Sequence, residues 1–386
     1  MDKRSGPTRV LILSVEAGYG HRKVAEAIRE ELGCRTSEGF QVTVCDALQK
    51  TNWLFRNTYA PIYQKMVTCA PWVWGFFFWL TDLPAVYRWI APLRSLWNWC
   101  QSAPLRAYLK EVPFDFVVFT HFFPAEVGGT LKRRGLLRGT LITVVTDVVP
   151  HLVWQNRGTD YYWVMAEESR QRLLERGSSP GQVLVGGIPI SPAFLEKKDR
   201  TTLMNQFGLS RERFTILFTS GSFGIGPTEA VLDSFKELKD RIQVMVVCGK
   251  NESLFDALNR RRFPFVTILF GLVHNMPEIM SVTDLLIAKP GGATTCESLA
   301  KRVPMIVLGA IPGQEVHNAE WLLGRRAAFH AKRVEEVRAV VLHILNHPHA
   351  LAQAREAAAR LAKPAAAKAL VDFICERKSL QVQEHS

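Results

Sequence analysis

Several things are missing from this sequence, and each absence narrows what the chain can be. No stretch reaches the roughly 18 consecutive apolar residues of a membrane-spanning helix, so a spanning protein is not expected. The seven cysteines are scattered with no C-x-x-C pair. An odd, unpatterned set argues against a disulfide framework and against a zinc site, and for reduced thiols in a cytosolic setting. No Asp-x-Asp pair is present either, so no metal is expected. Met1 to Pro7 is polar and runs straight into a strand, which predicts no signal peptide. Gly18-Tyr19-Gly20-His21 has Lys23 where a dinucleotide fingerprint needs its third glycine, and no P-loop ending follows. Internal repeats and low-complexity tracts are lacking too.

What is present describes a folded α/β protein. The 386 residues suggest two domains. Apolar residues at 47% and charged residues at 22% fit a globular chain. A net charge of +12 favours anionic partners. Nucleotide phosphates, anionic lipid and nucleic acid all qualify on charge alone. Short apolar runs alternate with helical segments, at Arg9 to Val15, Phe40 to Cys45, Asp115 to Thr120, Leu141 to Val145 and Tyr161 to Met165. The rhythm stops at 186–192 and the polar stretch Glu196 to Arg213 reads as a linker. It resumes at Phe214 to Thr219, Gln243 to Cys248, Phe265 to Leu269, Asp284 to Ala288 and Met305 to Leu308. A βαβα order implies parallel, doubly wound sheets. We therefore expect domains at 1–195 and 205–345, a ligand cleft between them, and a helical tail at 346–386 interrupted at Pro364.

Residues 51–111 interrupt the first half, and 51–100 hold seven of the ten tryptophans. The centre is Pro71-Trp-Val-Trp-Gly-Phe-Phe-Phe-Trp-Leu80, with Arg56, Lys65, Arg88, Arg94, Arg106 and Lys110 around it. Tryptophan collects where one side is oily and the other wet, and flanking basic residues suit an anionic membrane surface. Trp72, Trp74, Phe77 and Trp79 are the expected lipid contacts. The alternative is a helical subdomain whose core is rich in aromatics. Aromatics gathered in one block, rather than interleaved with basic residues, argue against nucleic acid.

Four loops carry candidate chemistry. His21 opens a helix at a sheet edge, where the positive helix end favours a neutral imidazole able to take a hydroxyl proton; a solvated first-turn His is the plain alternative. Asp147 follows a strand and either supports a His or caps a turn before Pro150, and His151 could receive an anionic head group. Ser220-Gly221-Ser222-Phe223-Gly224-Ile225-Gly226 either presents backbone donors to a diphosphate or needs glycine for a tight strand–helix turn. Lys289-Pro290-Gly291-Gly292 enters a helix read as Thr294 to Lys301, an anion seat. There Thr294-x-x-Glu297 fits a capping box, and a carboxylate gripping a ribose diol fits equally well. Pro312-Gly313-Gln314-Glu315 reads as a loop aiming two polar side chains at the same sheet edge.

Taken together, Gly18-x-Gly20-His21, Thr146-Asp147 with His151 and Trp154, the Ser220 to Gly226 loop, Lys289-Pro-Gly-Gly and Pro312-Gly-Gln-Glu resemble monogalactosyldiacylglycerol synthases and processive diacylglycerol glucosyltransferases. The resemblance implies a GT-B fold and an inverting, metal-independent, cofactor-free transfer of a hexose from a UDP-sugar to diacylglycerol or a glycolipid. It also implies a peripheral protein on the cytoplasmic membrane face. His21 becomes the base, with Asp147 beside it in catalysis. Gly291, Gly292 and Ala293 fall to the donor's diphosphate and Glu297 to its ribose, and Gly20, Ser222, Phe223, Gly224, Thr294 and Asn318 belong to the donor site as well. Gln314 and Glu315 fall to the sugar, and Val273 and Met276, within Phe270 to Met276, to the uracil. His151 and Trp154 face the acceptor or an anionic lipid. Two other readings stand beside this one: transfer of N-acetylglucosamine to a polyprenyl-linked cell-wall precursor, and a lipid- or nucleotide-binding scaffold without turnover.

Overall fold

A computed structural model describes residues 6–16, 18–35, 38–221, 224 and 226–384, with side chains to 380. Twelve strands form in the order β1 (Thr8–Ser14), β2 (Phe40–Asp46), β3 (Phe116–Phe119), β4 (Thr140–Val144), β5 (Tyr161–Val164), β6 (Val183–Val185), β7 (Phe214–Thr219), β8 (Ile242–Val247), β9 (Val266–Phe270), β10 (Leu285–Ala288), β11 (Met305–Val307) and β12 (Ala328–His330). They make two six-stranded sheets, ordered β2-β1-β3-β4-β5-β6 and β12-β11-β10-β7-β8-β9. Their neighbouring strands pair in parallel. Helices on both faces explain why the strands read as continuous apolar runs rather than alternating ones. Val10, Leu11, Ile12 and Leu13 are wholly buried in β1, as are Ile216 and Leu217 in β7.

The chain divides into two units. One takes in the chain up to Pro192, residues 312–314 and the end from Ala365; the other covers Ala193–Ile311 and Glu315–Pro364. The tail is thus shared out, with its break at Pro364. Its last helix, Ala366–Glu384, joins the first unit, where Asp372 pairs with Arg35 and the Cys375 thiol donates to Glu38 at 2.9 Å. The expected linker contains a helix, Arg200–Gln206, whose first turn is capped by Asp199. β6 and β12 were not expected from the sequence, because three-residue edge strands show no periodicity. All seven cysteines are free.

In each sheet the chain lays strands outward one way and then returns to the other side of its first strand. The reversal lies between β1 and β3 in one unit and between β7 and β10 in the other. The carboxyl ends of two adjacent strands then send their loops apart and leave a crevice, where open α/β sheets take ligands.

The insertion between β2 and β3 is helical: α2 (Trp53–Cys69), α3 (Pro71–Thr81), α4 (Pro84–Gln101) and α5 (Ala103–Glu111), where α1 is Tyr19–Gly33 and α6 is Phe122–Arg133. α3 has no buried residue, although all of it except Gly75 and Thr81 is apolar or proline. Trp72 is 75% exposed and Trp89 79%, and Trp53, Phe76, Phe77, Trp79, Leu93 and Trp97 are exposed as well. These aromatics form an outer surface, while Phe55 lies buried in the first unit's core with Tyr59, Tyr63 and Trp99 packed against it. α3 is held at its carboxyl end. Asp82 accepts from Arg172, Arg176 and the Leu152 amide at 2.6–2.8 Å. No helix among the described residues is long and apolar enough to cross a membrane.

Candidate functional site

At the first switch point Gly18 is the N-cap of α1, which makes His21 its third residue. The imidazole is fixed by the neighbouring strand. Its Nδ1 lies 2.7 Å from the Thr120 carbonyl and 3.2 Å from the Thr146 hydroxyl, and the Thr120 hydroxyl donates back to the His21 carbonyl at 3.0 Å. A carbonyl oxygen only accepts, so Nδ1 carries the proton and Nε2 keeps its lone pair. Burial lowers the His21 pKa to about 4, against the Thr120 bond, which raises it. The imidazole is therefore neutral at pH 7, and burial rather than the helix end is the main cause.

Two rings enclose it. His121 stands edge-on to His21 with ring centroids 4.7 Å apart, and Trp154 lies 6.3 Å away. His121 is buried, its Nδ1 accepts from the Phe123 amide at the start of α6, and burial followed by the nearby His21 holds its pKa well below the ordinary value. Nothing in the motifs marked Thr120 or His121, yet a Thr-His pair at the end of an apolar strand was the available signal.

Three expectations at this edge need correction. Asp147 accepts from the Trp154 indole N–H at 2.7 Å, while the His21 imidazole is oriented by Thr120 and Thr146. Burial raises the Asp147 pKa to about 6, opposed by that bond. Trp154 is 1% exposed in the core and does not face an acceptor. His151 is buried and fully used: Nδ1 accepts from the Val153 amide, and Nε2 lies 2.9 Å from the Phe78 carbonyl. It fastens α3 rather than receiving a head group. Of the expected lipid contacts, Trp72, Phe77 and Trp79 are exposed, while Trp74 is half-buried against Tyr63 with ring centroids 5.1 Å apart.

In the second unit the loop after β10 turns into the helix Gly292–Ala300, whose N-cap is Gly291 with no side-chain cap. Gly292, Ala293 and Thr294 thus form the first turn, where amides lack helical partners. Thr294 is inside the helix, so it is not the cap of a capping box; the helix begins two residues earlier than expected. Glu297 is 4% exposed on the buried face of that helix. Gln314 and Glu315 are not on a loop but open the helix Gln314–Gly324, and Glu315 accepts from the Ile311 amide at 2.8 Å. Asn318 is buried and donates from Nδ2 to the Pro290 carbonyl at 2.9 Å, so it braces the turn rather than standing open to the donor.

The loop after β7 shares this switch point, but Gly224 serves packing. It has φ +59°, and a Cβ there would lie 2.2 Å from the Cys248 carbonyl oxygen. Only glycine fits that approach. Ser222 and Phe223 lie outside the described residues. Val273 and Met276 are half-buried just beyond β9. Gly20 stands in the first turn of α1, in the first unit. Among the described residues no cluster of three His, Cys, Asp or Glu side chains is placed to hold a metal.

Comparison with known proteins decides what these two edges belong to. Residues 21–190 match the model of monogalactosyldiacylglycerol (MGDG) synthase, and 215–370 that of the glycosyltransferase family 28 C-terminal domain. The processive diacylglycerol beta-glucosyltransferase of Bacillus subtilis (strain 168) is 31% identical over 347 residues, which cover 87% of each chain. The chain belongs to the processive diacylglycerol glucosyltransferase family. The enzyme of that name from Bacillus thuringiensis (strain Al Hakam) is 28% identical over 97% of this chain and 95% of its own. Two solved structures share the GT-B fold. MurG of Acinetobacter baumannii has TM-score 0.59 and 15% identity, covering 96% of this chain and 100% of its own. The S. aureus MnaA–UDP complex has TM-score 0.63 and 12% identity, covering 97% of both. Within the glucosyltransferase family frame, the first matched segment begins at His21 itself, and the second contains both loops of the β7–β10 switch point.

Proposed function

We propose that this chain transfers a hexose, glucose by the name of its relatives, from a UDP-sugar to diacylglycerol or to a glycosyldiacylglycerol. The observation that carries this reading is His21: a neutral imidazole, held by Nδ1, with its Nε2 lone pair kept at a ligand-binding sheet edge. Each unit supplies half of the chemistry. In the first, Nε2 takes the proton of the acceptor hydroxyl as that oxygen attacks the anomeric carbon. The bond from that carbon to the diphosphate breaks on the opposite face, so the configuration inverts and UDP departs. In the second unit, the uncapped amides of Gly292, Ala293 and Thr294 and the positive helix end stabilise the charge that develops on the diphosphate. Glu297 takes the ribose, and Gln314 and Glu315 take the sugar. No metal ion enters this scheme.

We place the protein peripherally on the cytoplasmic side of the membrane; the exposed aromatic face of α2–α4 supports the membrane contact. Trp72, Phe77 and Trp79 enter the interface, and surrounding basic residues meet anionic lipid. The acceptor hydroxyl then reaches the base without leaving the bilayer. The test is turnover of UDP-glucose and UDP-galactose with vesicles of diacylglycerol and anionic phospholipid, with lipids read by mass spectrometry, with and without EDTA. Glycosylated diacylglycerol formed at the same rate in EDTA is expected. Background release of UDP with every acceptor would defeat the reading.

A further inference from the structure

The turn Pro312–Gln314 belongs to the first unit, although the chain on either side of it belongs to the second. The helical insertion meets this turn at three places. The Gln314 side-chain amide donates from Nε2 to the Tyr63 hydroxyl on α2 at 3.3 Å. Gly75 on α3 lies so near Pro312 that a Cβ there would come within 2.5 Å of the proline Cβ. Gly313 has φ +100°, and a Cβ on it would lie 2.7–3.1 Å from atoms of the Phe78 ring. Glycine is needed at the first position for space, and at the second for space and backbone angle together.

α3 is suited to seat the turn because it has two faces and a fixed position. Trp74, Gly75 and Phe78 share one face by helical spacing. There Trp74 packs on Tyr63 with ring centroids 5.1 Å apart, and Gly75 and Phe78 meet the turn. Trp72, Phe76 and Trp79 stand exposed on the other side. The Phe78 carbonyl lies 2.9 Å from His151 Nε2, and Asp82 just beyond the helix is held by Arg172 and Arg176. Of the two polar side chains that open the helix Gln314–Gly324, Glu315 is engaged by its own loop, accepting from the Ile311 amide. The insertion therefore sets the orientation of Gln314. A side-chain amide has one donating and one accepting end. With Nε2 turned to Tyr63, Oε1 is the end offered to a ligand hydroxyl.

We propose that Tyr63 is a positioning residue for the donor's sugar: it orients Gln314 so that Oε1 accepts from a hydroxyl of the hexose, on a turn seated by Gly75 and Phe78. The inference rests on the proposed role of Gln314. It gives the insertion, whose outer face carries the exposed aromatics, a second task in reading the donor. UDP has no hexose, so the contribution of Tyr63 is confined to the UDP-sugar.

The test compares the affinities of UDP-glucose and of UDP by calorimetry. Gln314→Ala should weaken UDP-glucose about tenfold and leave UDP unchanged. Tyr63→Phe keeps the ring on Trp74 and loses the hydroxyl, so it should weaken UDP-glucose about fivefold, again with UDP unchanged. Added to Gln314→Ala it should have no further effect, because Tyr63 acts through that amide. Gly75→Ala displaces Pro312 and should also weaken UDP-glucose alone, which decides the matter if Tyr63→Phe does not fold. The proposal is overturned if Tyr63→Phe leaves UDP-glucose affinity unchanged while Gln314→Ala lowers it, if both nucleotides weaken together, or if the two effects multiply in the double variant. Unchanged UDP-glucose affinity in Gln314→Ala is a different failure, which removes the sugar role of Gln314 and this inference with it.

Discussion

At the β1–β3 switch point the sheet edge is crowded with side chains: two imidazoles and an indole lie within 6.4 Å of one another, centroid to centroid. At the β7–β10 switch point the prominent feature is backbone, a glycine turn entering a helix without a side-chain cap. Similar topology thus offers a lone pair in one unit and N–H donors in the other. On the proposed function, the difference follows from what each edge would handle. Removing a proton needs a titratable group whose tautomer is fixed, and burial beside Thr120 provides that. Holding a diphosphate needs several donors at close range, which side chains would crowd and glycine leaves open.

The strongest way to break this comparison is at His21. His21→Ala removes the lone pair and leaves every amide of the second unit in place. We expect turnover to fall by at least about a hundredfold, the lower range for general-base catalysis, while UDP-glucose still binds with unchanged affinity by calorimetry. Retained turnover would take the base away from His21. Equal loss of donor binding would mean that the two edges are not functionally separate.

How far the sequence foretold this arrangement differs between the two edges. The fold was readable because strands buried on both faces leave unbroken apolar runs, as in Val10 to Leu13 and Ile216 to Phe218. The placement of His21, Gly291 and Gly292 where a strand passes into a helix was readable, because the apolar runs end just before them. Misreadings came where a polar residue had more than one possible partner. Asp147, His151 and Asn318 all read as ligand contacts, and all three turn out to be held by protein groups far away in sequence or fixed by a local turn. Thr294-x-x-Glu297 has the spacing of a capping box, but the helix starts at Gly292 with Gly291 as its N-cap, which leaves Thr294 inside the first turn.

A smaller effect sharpens the donor side. Asn318 reaches from the helix Gln314–Gly324 to the Pro290 carbonyl, so it positions the glycine turn without presenting itself to ligand. Asn318→Ala should raise KM for the UDP-sugar by about tenfold, the cost of leaving a buried acceptor unmade, with a lesser change in kcat. Asn318→Asp keeps the shape and loses the N–H donor, so it should behave like alanine. A variant with unchanged KM would show that the turn holds itself, and that the amides need no brace.

The smallest effect lies in stability against pH, and it separates two neighbours on the acceptor side. The His21 pKa is lowered from 6.5 to about 4 on folding, so the unfolded chain binds the extra proton between those values. Its contribution is present above pH 6.5 and is lost as pH falls through about 4. Asp147 is shifted the other way, from 3.8 to about 6, so the folded chain holds the extra proton there. Its contribution is present below pH 3.8 and is lost as pH rises through about 6. The two oppose each other between about pH 4 and 6. Asp147→Asn leaves His21 alone, and the urea midpoint should rise more steeply with pH across that window than in the parent chain. His21→Asn leaves Asp147 alone and should tilt the profile the other way. Parallel profiles for both variants would mean that burial at this edge perturbs neither group.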